Sequence, residues 1–115
     1  MGRISGLAAI ALLTACGGAP TLYETAGAQS TPVNMIDCAI DAISDEGFTV
    51  VDRNDEGGLM NAAYGTGFDD AEDAETWIKV NVIGADPAHY VIRVQTSDDD
   101  IARAGAEEII EECGT

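Results

Sequence analysis

The residue types that most often carry metal, redox or hydrolytic chemistry are sparse in this chain. His89 is the single histidine, and two cysteines, Cys38 and Cys113, with one histidine fall short of the four ligands of a structural zinc site. No Cys-x-x-Cys spacing indicates a redox motif. No Ser or Cys nucleophile has a recognisable basic partner, and no carboxylate pair stands out as acid and base. We therefore predict a non-enzymatic protein without a cofactor or a metal site, with a small hydrolase that uses paired carboxylates as an alternative.

Three acidic segments bear on cation binding as a second possible chemistry. Residues 52–57 resemble the opening of an EF-hand loop, but the twelfth position is Ala63, where calcium needs a bidentate glutamate. Residues 69–75 carry Asp or Glu at five of seven positions, and residues 98–100 are all aspartate. Charge runs of this kind are usually solvated, but they keep a calcium- or cation-binding surface protein open as an alternative.

The N-terminus has the order of regions found in a secretory signal. Arg3 is followed by an apolar stretch over residues 7–13 and by small residues before Cys16. The stretch is shorter than the about 20 apolar residues that cross a bilayer. Leu13-Thr14-Ala15-Cys16 resembles the lipobox of bacterial lipoproteins, in which the cysteine is acylated and the preceding peptide bond is cleaved.

This resemblance implies a lipoprotein signal peptide over residues 1–15 and a lipid bilayer as the partner of acylated Cys16. The protein would then be a lipid-anchored component of the bacterial cell envelope. Lipoproteins with aspartate after the cysteine are often retained in the inner membrane, and here that position is Gly17. The resemblance therefore implies the outer membrane, facing the periplasm, if the host has two membranes.

Export also bears on the other two cysteines and on the domain boundaries. With Cys16 acylated, Cys38 and Cys113 are left as a pair in an oxidising compartment, which implies a disulfide between them. In the chain-entropy model, closing the loop of residues 38–113 contributes about 4.5 kcal/mol of stability. Residues 16–32 are predicted to be the lipidated cysteine and a flexible tether with a reach of about 20 to 25 Å. Residues 33–115 are predicted to form a single domain.

Two kinds of hydrophobic periodicity place this domain in the α+β class. Apolar residues recur at helical spacing after the cap signal Thr31-Pro32 and again after residues 97–100. Between them, four segments alternate with a period of two, at residues 48–53, 59–64, 76–83 and 89–96. We predict the order α-β-β-β-β-α, a four-stranded antiparallel meander with two antiparallel helices on one face, joined by the disulfide. The layout resembles the helix-grip domains of envelope lipoproteins, in fold only.

Alternation along the strands also predicts what the uncovered face of the sheet presents. It would carry a tryptophan, amides and cations, but no acid: Arg53, Asn61, Trp77, Lys79, Asn81, His89, Arg93 and Gln95. Of these we assign Arg53, Trp77, Lys79, Asn81 and Arg93 to a binding surface, with Trp77 or Lys79 opposite or diagonal to Arg93. The alternative explanation is that Asp and Glu are poor strand formers and collect elsewhere without any role in binding.

The net charge limits the partners of such a surface. The chain has 21 acidic residues against five basic ones, for a formal net charge of −16. Nucleic acids and anionic lipid surfaces are therefore poor partners, and solubility alone would also explain the acidity. Our first hypothesis is a non-enzymatic envelope lipoprotein that binds or scaffolds an envelope protein or glycan through the open sheet face. The sequence leaves the oligomeric state open.

Overall fold

Five antiparallel strands and two helices make up the structure, a computed structural model that describes residues 21–27, 31–84 and 90–114. In chain order the elements are β1 (Thr21–Ala26), α1 (Pro32–Ser44), β2 (Phe48–Asn54), β3 (Leu59–Tyr64), a 3-10 turn (Ala71–Asp73), β4 (Trp77–Gly84), β5 (Tyr90–Thr96) and α2 (Asp100–Cys113). The strand order across the sheet is β1-β5-β4-β3-β2, and every neighbouring pair is antiparallel. Strands β2 to β5 thus form the predicted meander.

The helices begin where the sequence predicts caps. The Thr31 hydroxyl accepts a hydrogen bond from the Asn34 amide at 3.2 Å, and Pro32 occupies the first turn of α1, where its missing N–H costs nothing. At α2 the Asp99 carboxylate accepts from the Ala102 amide at 2.8 Å. Such caps satisfy donors that would otherwise lack an intrahelical partner.

One hydrophobic core lies between the helices and one face of the sheet. It is built from aliphatic and sulfur-containing side chains of both helices and from alternate residues of the strands, including Met35, Ile36, Ile43, Met60, Ile78, Val80, Ile92, Val94 and Ile109. Each of these is at most 1% exposed. The core fixes which strand residues point away from the helices, and so it determines the uncovered face.

The disulfide between Cys38 and Cys113 is confirmed. It joins α1 to α2, with the two Cα atoms 5.9 Å apart and a sequence separation of 75. Cys113 is fully buried in the core, whereas Cys38 is only partly buried at its edge. The bridge therefore holds the two helices side by side above the sheet.

The α+β class is confirmed, but the prediction of four strands is wrong. Residues Thr21–Ala26, which the sequence analysis placed in the flexible tether of residues 16–32, form β1 and pair with β5 in antiparallel register. The segment alternates Thr21, Tyr23 and Thr25 with outward residues, a pattern of β-branched and aromatic side chains suited to a strand. Tyr23 packs against the core, which is built from residues far from β1 in sequence.

A β-bulge in β2 shows that the predicted position of one site residue, Arg53, is wrong. The register pairs Val50 with Ala62 but Asp52 with Asn61, so that Val51 is the extra residue and the alternation reverses beyond it. Arg53 consequently lies opposite the buried Met60, on the helix side of the sheet, rather than on the open face. Asp52 takes the place predicted for Arg53, and the expectation that no acid lies on this face is also wrong.

Candidate open-face groove

The open face of the sheet carries a shallow groove of about 440 Å³, which we call the open-face groove. Its lining comes from the four strands β1, β3, β4 and β5: Leu22, Leu59, Asn61, Lys79, Val80, Asn81, Arg93 and Gln95. Two cross-strand rows form its floor. In one row Asn61, Lys79 and Gln95 face one another, and in the other Asn81 faces Arg93. Hydrogen bonding of the strands fixes these side chains side by side.

Three side-chain amides, Asn61, Asn81 and Gln95, give the groove its chemistry. Each amide presents an N–H donor group and a carbonyl acceptor. Leu22 and Leu59, which are 54% and 41% exposed, add aliphatic surface on the strands that flank the floor. The groove therefore combines donors, acceptors and apolar contacts within one concave surface.

Both cations of the groove are paired within the domain. Arg93 donates from Nε to Glu24 of β1 at 2.7 Å, across the strand pair that the sequence analysis did not predict. Lys79 donates from Nζ to Glu72, in the 3-10 turn between β3 and β4. An anionic ligand would have to displace these carboxylates, because neither cation offers an uncompensated charge.

Trp77 lies next to the groove rather than in it. It is the first residue of β4 and lies opposite Ala63. The Nζ atom of Lys79 is 5.4 Å from the centroid of the Trp77 ring. A cation–π contact was expected around Trp77, but the partner is Lys79 on the same strand and not Arg93, which faces Asn81. Trp77 and Arg93 are therefore not brought together.

The acidic segment 69–75 covers one end of the open face. Its 3-10 turn contacts β3 and β4, and Ala63, which alternation places on this face, is completely buried. Ala71 and Ala74 are buried beside it, at 4% and 6% exposure. The small alanine side chains let this segment lie close to the sheet. The part of the open face that carries the groove stays uncovered.

Arg53 belongs to a different cluster, on the helix side. Its guanidinium donates to Asp55 at 2.6 Å and to Asp37 of α1 at 2.7 Å. The hydrogen bond to Asp55 and then that to Asp37 raise the pKa of Arg53 above its ordinary value, which keeps this group charged. Arg53 ties the hairpin β2–β3 to α1 and has no part in the groove.

The remaining predicted residues divide between the helices and the undescribed part of the chain. Cys38 and Cys113 form the disulfide, whereas Cys16 and His89 lie outside the described residues. Among residues 21–27, 31–84 and 90–114, no group of three or more His, Cys, Asp or Glu side chains is arranged to hold a metal ion. Within the same ranges, no helix has both the length and the apolar character needed to cross a bilayer.

The sequence analysis missed the contributions of β1 to the site. Leu22 lines the groove and Glu24 neutralises Arg93, yet both residues lie in the segment assigned to the tether. The signal that could have found them is the alternation in Thr21-Leu22-Tyr23-Glu24-Thr25, which is typical of a strand. No protein-family model matches the chain, and a comparison with curated proteins finds no significant match.

Proposed function

We propose that this protein is a lipid-anchored, non-enzymatic component of the bacterial envelope, whose domain binds an uncharged saccharide in the open-face groove. The observation that carries the proposal is the set of three amides, Asn61, Asn81 and Gln95, each next to a cation that is already paired with a carboxylate of the domain. Sugar hydroxyl and acetamido groups are donors and acceptors of the same kind as these amides. The anchor follows from the lipobox resemblance at Cys16 and is the second part of the proposal.

The charges favour an uncharged ligand over an anionic one. Glu72 and Glu24 neutralise Lys79 and Arg93, and Asp52 adds a negative charge beside Asn61. The whole chain is strongly acidic, which repels polyanions at long range. A neutral glycan avoids this repulsion and still uses every polar group of the groove. Its volume of about 440 Å³ lies within the usual size range of small-molecule sites, which suits a short stretch of a saccharide chain.

The groove is tested by saccharide binding to the mature chain carrying Cys16→Ser, which removes the lipid but keeps the rest. The probes are neutral oligosaccharides and uronic-acid oligosaccharides of the same length, titrated by calorimetry. We expect Asn81→Ala to weaken binding of the neutral probe about tenfold, equivalent to about 1.4 kcal/mol, because one side-chain donor and acceptor is lost.

Arg53→Gln is the matched control, because it removes a cation of the same sheet that lies outside the groove. Its affinity for the neutral probe should stay within about twofold of the unchanged chain. Preference for the uronic-acid probe, or an equal loss in the Arg53→Gln and Asn81→Ala variants, would refute saccharide binding in the groove.

The anchor is tested separately by mass spectrometry of the protein purified from membranes. We expect a diacylglyceryl modification on Cys16, which would be the N-terminal residue of the mature chain. The Cys16→Ser variant should leave the membrane fraction, since it lacks the acylated sulfur. An unmodified Cys16 in the membrane-derived protein would contradict the lipoprotein assignment without affecting the groove.

A further inference from the structure

The strand β1 starts close to the residue that would carry the lipid. Only five residue steps separate Cys16 from Thr21, and even a fully extended chain of this length spans at most about 18 Å. The tether predicted from sequence would have let the domain move freely over 20 Å or more. The observed strand makes the tether shorter, because Thr21 is already part of the sheet.

The strand is held to the domain by several independent contacts. All six residues of β1 are in register with β5, and Glu24 pairs with Arg93 at 2.7 Å. Tyr23 packs against the core, and partial burial is the largest cause that raises the pKa of its hydroxyl, followed by the nearby charge of Glu107. Gly27 donates from its amide to the Tyr90 carbonyl at 2.9 Å. These contacts make Thr21 a fixed point on the domain.

Thr21 lies at one defined end of the sheet, which we call the acidic end. It faces Thr96, where β5 ends, and the same end holds the start of β4 and of β2. Three connections lie there, at residues 45–47, 65–76 and 97–99, and none of them contains Lys or Arg. Glu72 and Asp98 of these connections pair with Lys79 and Arg103. The acidic residues there are Asp45, Glu46, Asp69, Asp70, Glu72, Asp73, Glu75, Asp98 and Asp99.

We propose that β1 holds the domain upright on a zwitterionic phospholipid surface, with the acidic end next to the headgroups and the open-face groove opening sideways. This inference rests on the lipid anchor of the proposed function. Residue Leu22 of the groove follows Thr21 directly, so the groove would lie within about 25 Å of the lipidated cysteine. Its ligand would then be a membrane-proximal saccharide.

The electrostatics decide which surface suits this orientation. With Thr21 within about 18 Å of the anchor, this end of the sheet stays within one Debye length of the headgroups at about 10 mM salt, where that length is about 30 Å. An anionic surface would push this end away, whereas a zwitterionic one would not. The domain should therefore approach phosphatidylcholine more closely than phosphatidylglycerol when salt is low.

Energy transfer from tryptophan to a headgroup-labelled dansyl lipid tests the orientation in the acylated protein. Trp77 is the only tryptophan and lies at the acidic end of β4. The comparison variant combines Trp77→Phe with Ile83→Trp, which moves the donor six residues, about 20 Å, along the same strand. On phosphatidylcholine vesicles we expect transfer from Trp77 to exceed transfer from the displaced tryptophan at least about threefold, given this distance.

A lengthened linker provides the matched control. Inserting fifteen Gly and Ser residues between Ala19 and Pro20 in both proteins should lower transfer and remove the difference between the donors. Equal transfer from the two donors, in protein whose mass shows acylated Cys16, would overturn the orientation alone. Absence of the acyl mass would overturn the anchor and the orientation together, and would leave the saccharide titrations as they stand.

The unchanged protein supplies a second measurement that does not depend on moving the tryptophan. Replacing half of the phosphatidylcholine by phosphatidylglycerol should lower transfer from Trp77 at about 10 mM salt, where the Debye length is about 30 Å, and 0.5 M salt should restore it. Transfer that ignores the anionic lipid at low salt would contradict an acidic end next to the surface.

Discussion

At the scale of single residues, the basic side chains of the described strands and helices form ion pairs within the domain. Lys79, Arg93 and Arg53 all have carboxylate partners, and Arg103 pairs with Asp98 and Asp100 at 2.7 Å each. Water screens pairs as exposed as these, so they orient side chains more than they stabilise the fold. In the groove that lies within the described residues, the uncharged polar side chains are Asn61, Asn81 and Gln95, and we propose that these amides bind the ligand.

The Asp99 carboxylate, which caps α2, contributes to the stability of the fold. Burial, the largest single effect, would raise its pKa, but hydrogen bonds from Ser97, from the Ala102 amide and from neighbouring donors together lower the pKa below its ordinary value. Its stabilising contribution is therefore present above the unfolded-state pKa, and it disappears as the pH falls through the lower folded-state value.

We expect Asp99→Ala to reduce the free energy of unfolding by about 1 to 2 kcal/mol at pH 7, through loss of the helix cap. Asp99→Asn keeps a capping oxygen and should lose less. Urea unfolding at pH 7 and pH 2.5 checks the sign: the difference in unfolding free energy between the unchanged protein and Asp99→Asn should be smaller at the lower pH. A gap that is the same at both values would contradict the titration argument.

At the scale of elements, the β2–β3 hairpin decides which residues reach the open face. The bulge at Val51 moves Arg53 to the helix side, and the turn that follows is tight enough to require a glycine at residue 58. Gly58 has a φ of +69°, and a Cβ atom there would lie 2.6 Å from the Val82 carbonyl oxygen. The same glycine accepts a hydrogen bond from the Val82 amide at 2.7 Å. The turn therefore keeps β3 in place against β4.

Gly58→Ala should lower the free energy of unfolding by about 2 to 3 kcal/mol, since it combines an unfavourable φ with a backbone clash. Gly67→Ala is the matched control, because Gly67 also has a positive φ, of 88°, but no atom lies within 4 Å of its added Cβ. The control should lose only about 1 kcal/mol. Equal losses in urea unfolding would show that the contact with Val82 does not matter.

The closing helix α2 contains an unfavourable arrangement at its C-terminal end. Glu108 and Glu112 are one helical turn apart, and their shared hydrogen bond is the largest cause of a raised pKa at Glu108. The last turn carries no basic residue to complement the helix dipole. What holds this end in place is the burial of Ile109 and Cys113 and the covalent link to α1.

At the scale of the whole molecule, the disulfide links the first helix of the domain covalently to the last. We expect a double Cys38→Ala, Cys113→Ala variant to lose about 4 kcal/mol of unfolding free energy, because the long loop is no longer closed in the unfolded chain. Urea unfolding of the unchanged protein after reduction of the disulfide measures the effect of the bond alone, because both cysteine side chains are still present. A loss below about 1 kcal/mol in both measurements would contradict a stabilising role.

Local sequence signals determined most of the secondary structure. Periodicity and caps predicted both helices and the four meander strands to within about two or three residues, because each of these segments carries its own apolar pattern and its own turn residues. The resemblance of Leu13-Thr14-Ala15-Cys16 to a lipobox led to the correct pairing of Cys38 with Cys113, while the lipid itself stays a prediction. The placement of Lys79, Asn81 and Arg93 on the open face followed from alternation along β4 and β5.

Tertiary structure alone decided the rest. The strand β1 depends on an edge of β5 that is far away in sequence, and its Glu24 changes the charge of the proposed site by neutralising Arg93. The bulge at Val51 is a feature of pairing between two strands, so alternation within β2 placed Arg53 on the wrong face. Local pattern shows which residues can form a strand, but neighbouring strands decide the register, the partners and the face.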